Sequence, residues 1–156
     1  MLDITLVAIG KLKERHYQAV FSEYAKRLKP FVRLKIMELP AVSFNRSNQA
    51  QAREFEAESI EHYLSRLEKR QSPAAVYLLA ERGRSFDSPS FAAWLAQKQP
   101  LVLVIGGALG FSDRLYAQYP QISLSPLTFP HELARVILAE QLYRAATIIQ
   151  KKDYHY

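Results

Sequence analysis

The chain has 156 residues and a formal net charge of +6, from 21 basic and 15 acidic side chains. This length is typical of one domain and is sufficient to bury a hydrophobic core. Because the sequence contains no cysteine, it excludes disulfide bonds, thiolate catalysis and cysteine-based zinc or iron–sulfur sites.

The excess of positive charge favours a polyanionic partner such as RNA or acidic lipid headgroups, although solubility alone explains it equally well. Apolar runs stay shorter than the roughly 20 residues that span a bilayer. The first residues, Met1 to Thr5, lack the basic region that opens a signal peptide. We therefore predict a cytoplasmic protein with no membrane partner.

The first half of the chain predicts two strands that alternate with two helices. Leu2–Ile9 is rich in branched apolar residues, as in a buried strand, and apolar spacing predicts a helix over His16–Leu28. Side chains alternate in polarity along Val32–Leu39, which predicts a strand with one more polar face. A long, charge-laced helix is predicted from Gln49 to Arg70.

The second half continues the alternation, with shorter elements. Strands are predicted at Ala74–Ala80, Leu101–Ile105 and Ile122–Leu124, and helices from Ser88, from Ser112 and over Pro130–Ile149. Residues 81–85 are predicted to form a turn. Strands that alternate with helices predict a three-layer α/β domain with a mainly parallel sheet, which would occupy residues 1–156 as one unit.

Two loops of small residues follow predicted strands. Gly106–Gly107–x–x–Gly110 lacks the spacing of a dinucleotide fingerprint or a P-loop. Alone, it is more often a tight turn than a cofactor site. Ser123–Thr128 exposes backbone groups that can bind an adenine edge, or else it only caps the next helix. Together, the two loops favour a pocket for a nucleoside-containing cofactor, because ligands bind at the carboxyl ends of strands in open α/β sheets.

The last helix carries polar residues that a structural helix does not require. Glu140 and Arg144 have the spacing of an ion pair, which in a buried setting would orient Arg144 toward a phosphate or a base. Tyr143 beside them is suited to stacking on a nucleobase. An ordinary helix accounts only for an apolar stripe, which we assign to Leu133, Ile137 and Ala145.

The histidines do not predict a metal site, because His16, His62, His131 and His155 have no metal-ligand spacing. Glu132 is expected to complement the dipole of the last helix, and His131 to contact RNA or a partner subunit. The tail of residues 151–156 either frays or contacts nucleic acid through its basic and aromatic side chains.

The C-terminal motifs resemble the SPOUT class of methyltransferases and, within it, the RlmH family, whose members methylate a pseudouridine in bacterial large-subunit ribosomal RNA. The resemblance covers essentially the whole chain. Its motifs are Ala8–Ile9–Gly10, Ile105–Gly106–Gly107, Leu124–Ser125–x–Leu127–Thr128–Phe129–Pro130–His131, Glu140–Gln141–Leu142–Tyr143–Arg144–Ala145 and Tyr154–His155.

The resemblance implies an α/β knot, in which the C-terminal part threads through a loop as a deep trefoil. It also implies a homodimer with its site at the subunit interface, and S-adenosylmethionine as the cofactor. The implied acceptor is N3 of a pseudouridine in large-subunit rRNA of the assembled ribosome. The family's cofactor-binding positions correspond to Leu78, Gly106, Leu124, Ser125, Pro126, Leu127, Thr128 and Phe129.

The catalytic residues implied by the resemblance lie near the end of the chain. Arg144, oriented by Glu140, and Tyr143 would position the nucleotide. His155, from the same chain or the partner, would help to remove the N3 proton, because an imide is only weakly acidic at neutral pH. The sequence departs from the family pattern at Phe111 and in the residues that flank Tyr154–His155, which leaves the tail's role open.

Three other functions stay open at this point. The chain could be a SPOUT methyltransferase for tRNA or for another rRNA position. It could also be a non-catalytic RNA- or ribosome-binding factor that retains the fold. An NAD-type nucleotide-binding module is less compatible with the sequence, since the fingerprint is missing.

Overall fold

In the computed structural model, which describes residues 1–69 and 74–154, strands and helices alternate as predicted. The strands are β1 (Leu2–Ile9), β2 (Val32–Leu39), β3 (Ala75–Arg84), β4 (Leu101–Ile105) and β5 (Gln121–Ile122). The helices are α1 (Arg15–Leu28), α2 (Gln49–Glu68), α3 (Ser88–Gln97), α4 (Asp113–Gln118) and α5 (His131–Ile149).

The five strands form one sheet in the order β2-β1-β4-β3-β5, and every pair is parallel. Alternate residues of the central strands face opposite layers. Leu103 of β4 belongs to the core cluster with α1, α3 and α5, whereas Val104 belongs to the cluster with α2 and α4. The three-layer α/β architecture is therefore confirmed; the trefoil threading stays a prediction.

The end of β3 differs from the prediction, because residues 81–84 continue the strand instead of forming a turn. Arg84 pairs with Ile122 of β5, and the Ser123 N–H donates to the Arg84 carbonyl at 2.8 Å. A Cβ at Gly83 would lie 2.5 Å from the Ile122 carbonyl carbon, so only glycine permits this approach. The polar composition of residues 81–84 suits an exposed strand end, which hydrophobicity alone cannot distinguish from a turn.

Side-chain caps set the starts of α3 and α4. Asp87, one residue before the predicted helix start at Ser88, is the N-cap of α3; its side chain accepts from the Ser90 N–H at 2.8 Å. Ser112, where a helix was predicted to start, caps α4. Pro130 precedes α5 without a side-chain cap. The described helices include none that is long and apolar enough to cross a membrane.

Candidate active site

A cavity of about 500 Å³ opens at the carboxyl end of β4, beside the middle of β3; ligands in open α/β sheets bind at the carboxyl ends of strands. Its walls come from three segments of the chain. They are residues 79–81 of β3, the end of β4 with the loop that follows it (residues 105–108, 110 and 111), and the segment that leads into α5 (residues 124, 125 and 127–131). Tyr116 and Ala134 complete the lining. Residues of both small-residue loops, which the sequence predicted to form a cofactor pocket, therefore line this cavity.

Most of the predicted cofactor residues surround this cavity. Those that line it are Gly106, Leu124, Ser125, Leu127, Thr128 and Phe129. Pro126 and Leu78 are not among the lining residues. Leu78 is completely buried in the core beside α2, and its N–H donates to the Pro120 carbonyl at 2.9 Å. Because side chains alternate along β3, its neighbour Leu79 faces the cavity instead.

The glycine-rich segment is both a tight turn and a cavity wall. Gly110 has a φ of 70° and donates its N–H to the Gly107 carbonyl at 3.1 Å. A Cβ at Gly106 would lie 3.3 Å from the Phe111 ring. A Cβ at Gly107 would lie 2.7 Å from Oε2 of Glu56. These two glycines let the backbone pass between the cavity and the side chains behind it.

Glu56 is a buried residue of the site that the sequence analysis missed. It lies on α2, is 6% exposed, and its Oε1 accepts from the Val42 N–H at 3.0 Å. Burial raises the pKa of Glu56, and the bond from Val42 opposes this only in part. The available signal was its spacing, since Glu56, Ile60 and Leu64 share one buried face of α2.

The first turn of α5 places a histidine at the cavity and a glutamate against the start of α1. His131 lines the cavity, and its pKa is lowered by burial and by nearby Arg135, so its imidazole is neutral at neutral pH. Glu132 does more than complement the helix dipole. Its Oε2 accepts from the backbone N–H groups of Lys13 (3.0 Å) and Glu14 (3.1 Å) and thereby fixes the start of α1.

Arg135 is a second buried charged residue near the site that was not predicted from the sequence; it is 1% exposed. Its Nη1 donates to Glu38 Oε1 at 2.7 Å, and its Nη2 contacts the carbonyls of Ile9 and Gly10. Its Nε has no hydrogen-bond partner among the described residues. The clue was a charge three residues before Leu138 on the buried face of α5. Leu133 and Ile137, which we had assigned to the core, are only partly buried.

The predicted catalytic residues of α5 form a separate cluster. Arg144 donates to Glu140 Oε1 at 2.7 and 3.1 Å, and its guanidinium lies 5.1 Å from the centre of the Tyr154 ring. The Tyr143 ring packs edge-on against Tyr154 at 4.7 Å. A hydrogen bond with Tyr24, together with burial, raises the pKa of Tyr154 to about 12, so this phenol stays protonated.

This cluster does not contribute to the lining of the cavity. His131 and Arg144 are 13 positions apart on one continuous helix, which corresponds to about 20 Å at 1.5 Å per residue. His155 lies outside the described residues. The described residues contain no group of three or more acidic or histidine side chains that could hold a metal ion.

Residues 2–155 match the family model described as "Predicted SPOUT methyltransferase". The chain belongs to the SPOUT methyltransferase family. Three relatives are each named "Ribosomal RNA large subunit methyltransferase H". The protein from Pelobacter propionicus is 38% identical, across 99% of this chain and 100% of its own length. Those from Bacteroides fragilis and Limosilactobacillus reuteri are 35% and 36% identical, with 99% of both chains covered.

A SPOUT methyltransferase needs a methyl donor, and the cavity has the properties of a site for one. Its lining is mostly apolar side chains and loop backbone, with few charged groups. This combination suits a flat nucleoside that is held by shape and by N–H and C=O groups. Glycine is required in the wall at position 107 because a Cβ there would meet Glu56 behind the wall, so backbone lines the cavity at this point.

Proposed function

We propose that this protein transfers a methyl group from S-adenosylmethionine to N3 of a pseudouridine in large-subunit rRNA of the assembled ribosome, in the cytoplasm. One observation carries the proposal. The two loops that were picked out by their small residues converge on a single cavity at the carboxyl end of the sheet. The full-length similarity to rRNA methyltransferases supports the same substrate class.

The residues that line the cavity would bind the methyl donor. Ser125 and Thr128 contribute hydroxyls and backbone polar groups, while Leu124, Leu127 and Phe129 offer apolar surface. Leu127 is 72% exposed, so a bound ligand would cover apolar surface that water now contacts. S-adenosylmethionine, when bound, supplies an electrophilic methyl group; the protein aligns it with the acceptor.

The acceptor nitrogen must lose its proton as the new N–C bond forms. A neutral imidazole at the cavity can accept such a proton, and the lowered pKa of His131 keeps that side chain neutral. His155, which the resemblance suggests for this step, is the second candidate. Replacement of each by glutamine, with turnover measured against pH, distinguishes the two.

The cluster of Glu140, Tyr143 and Arg144 would position the nucleotide, and its location supports a homodimer. Ala134 of α5 also lines the cavity and is ten positions before Arg144 on the helix, which corresponds to about 15 Å. This distance exceeds the reach of an arginine side chain. Arg144 therefore cannot reach the cavity of its own subunit while α5 remains a continuous helix. In a homodimer, Arg144 of one subunit would face the cavity of the other, and the complete site would form between them.

The test is transfer of labelled methyl from S-adenosylmethionine to assembled ribosomes, free large subunits and bulk tRNA, followed by nucleoside digestion. Methylated pseudouridine mainly from assembled ribosomes is the expected product. Label on tRNA or at another rRNA position would replace the proposed acceptor. If no RNA is labelled and the protein does not bind S-adenosylmethionine, a non-catalytic RNA- or ribosome-binding role replaces the enzymatic proposal.

A further inference from the structure

Glu56 is a buried carboxylate that receives one hydrogen bond from the described residues. Its Oε1 accepts from the Val42 N–H at 3.0 Å, and none of the ion pairs among those residues includes Glu56. Burial of an anion without a counter-charge is unfavourable, and proteins normally avoid it or pair the group. An unpaired carboxylate beside a cavity therefore indicates that its positive partner is a ligand.

The position of Glu56 relative to the cavity is set by Gly107. A Cβ on Gly107 would lie 2.7 Å from Oε2 and 3.1 Å from Oε1 of Glu56, so the carboxylate packs directly against this residue. Gly107 in turn lines the cavity. The thickness of one glycine thus separates the negative charge from the ligand space. At this separation, a charge acts strongly through the poorly polarisable protein interior.

The methyl donor and its product differ by one positive charge. S-adenosylmethionine carries a sulfonium; when its S–CH3 bond breaks, the bonding electrons return to sulfur and leave a neutral thioether. The acceptor gains an N–CH3 bond and releases its N–H proton, so the positive charge leaves the cavity as that proton. A negative charge fixed at the cavity wall attracts the sulfonium of the donor but not the neutral thioether of the product.

We propose, on the basis of the proposed function, that Glu56 makes the cavity prefer the cationic methyl donor to the neutral-sulfur product. Glu56 is then a specificity-determining residue that acts through Gly107 without entering the cavity. The same charge favours exchange after each turnover, because the product lacks the attraction that holds the donor. A purely structural Glu56 would instead support the loop equally for every ligand.

The test is calorimetric binding of three probes to the full-length protein and to Glu56→Gln. The probes are S-adenosylmethionine, S-adenosylhomocysteine, which lacks the sulfonium, and methylthioadenosine, which lacks both the sulfonium and the amino-acid portion. We expect the variant to lose about tenfold in affinity for S-adenosylmethionine. Affinities for the other two probes should change by less than about twofold. Glu58→Gln, an exposed site on the same helix, serves as the matched control and should bind all three like the wild type.

Several outcomes would overturn the inference. Equal losses for all three probes would show that Glu56 supports the loop structurally. Equal losses for S-adenosylmethionine and S-adenosylhomocysteine alone would show that Glu56 interacts with the ammonium group. Unchanged binding throughout would show no electrostatic role. If the wild type binds none of the probes, the proposed function itself fails, which is a distinguishable result.

Glu56→Asp keeps the proposal testable if the glutamine variant is too unstable to assay. Aspartate retains the charge but shortens the side chain. We expect it to keep most of the preference for S-adenosylmethionine over S-adenosylhomocysteine, while any packing defect lowers both affinities together. Loss of that preference in Glu56→Asp, in a folded protein, would contradict a role for the charge.

Discussion

Arg135 and Glu38, which are 97 positions apart in the chain, form an ion pair in which Nη1 lies 2.7 Å from Oε1. The arginine is 1% exposed, whereas the glutamate side chain is 32% exposed. The same guanidinium contacts the carbonyls of Ile9 and Gly10. It therefore fixes the first turns of α5 against the carboxyl ends of β1 and β2, next to the cavity.

Arg135→Ala should destabilise the fold by about 3 kcal/mol, because it removes a buried charge and leaves backbone carbonyls without their donor. Urea unfolding measures the loss. Arg27→Ala is the control, since Arg27 pairs with Glu23 in an exposed i,i+4 arrangement and should cost at most about 0.5 kcal/mol. Similar losses for the two variants would mean that the buried pair contributes no more than a surface one.

Glu132→Gln should weaken the fold at neutral pH by about 1–2 kcal/mol, as two backbone N–H groups lose a charged acceptor. Burial opposes ionisation of Glu132, but the bonds from Glu14 and Lys13 and the adjacent positive charges together lower its pKa. A carboxylate with a lowered folded-state pKa stabilises above the unfolded pKa of about 4.3. This stability is lost as pH falls through the folded pKa.

The measurement is the difference in unfolding free energy between wild type and Glu132→Gln from pH 7 to pH 3. The difference should shrink as the pH falls, whereas Glu58→Gln should show no comparable change. A difference that is independent of pH would show that the charge of Glu132 is not what stabilises the start of α1.

Gly107→Ala should destabilise the protein by about 1–3 kcal/mol, because the new methyl group would meet Glu56 Oε2 at 2.7 Å. Glu56 is the closest partner of the new methyl group, ahead of Ile9 Cγ2 at 3.0 Å, so a double-mutant cycle tests its share of the clash. Glu56→Ala creates space, and Gly107→Ala should cost much less in that background. Additive effects on the free energy of unfolding would place the clash elsewhere.

Mixed dimers test the proposed homodimer, in which two subunits form one site. Arg144→Ala leaves the cavity intact, and Gly106→Val obstructs it beside Phe111. Each homodimer should be inactive. A dimer that contains one copy of each variant, purified through two different tags, should recover about half of the wild-type methyl transfer if Arg144 serves the opposite cavity. Absence of recovery in an intact mixed dimer would place the site within one chain.

Binding of S-adenosylmethionine should weaken as the solution is acidified, more than binding of methylthioadenosine. The pKa of Glu56 is raised by burial, so protonation removes its charge at a higher pH than for an ordinary glutamate. Val42 donates its backbone N–H to Glu56 and Gly107 packs against its carboxylate; neither residue has a titratable side chain. Calorimetry from pH 8 to pH 5 measures the ratio of the two affinities. A ratio that shows the same pH dependence in Glu56→Gln would exclude Glu56 as its cause.

Local patterns predicted most of the architecture. The bounds of Leu2–Ile9, Val32–Leu39 and Leu101–Ile105 agree with the observed strands, because branched apolar runs and strict alternation depend only on neighbours in sequence. The end of β3 was wrong, since residues 81–84 are polar and join the strand only through pairing with β5. Such pairing depends on a segment nearly 40 residues further along the chain.

The candidate site was likewise predicted from the sequence only in part. The small-residue loops at Gly106 and at Leu124–Phe129 were recognised from sequence because backbone exposure follows from composition. The sequence alone thus determined the α/β class, the two loops and, through its motifs, the methyltransferase family. Only the tertiary structure brought Glu56 to the back of Gly107 and Arg135 to the ends of β1 and β2. Those contacts join residues far apart in the chain, and their strength comes from burial, which no local pattern specifies.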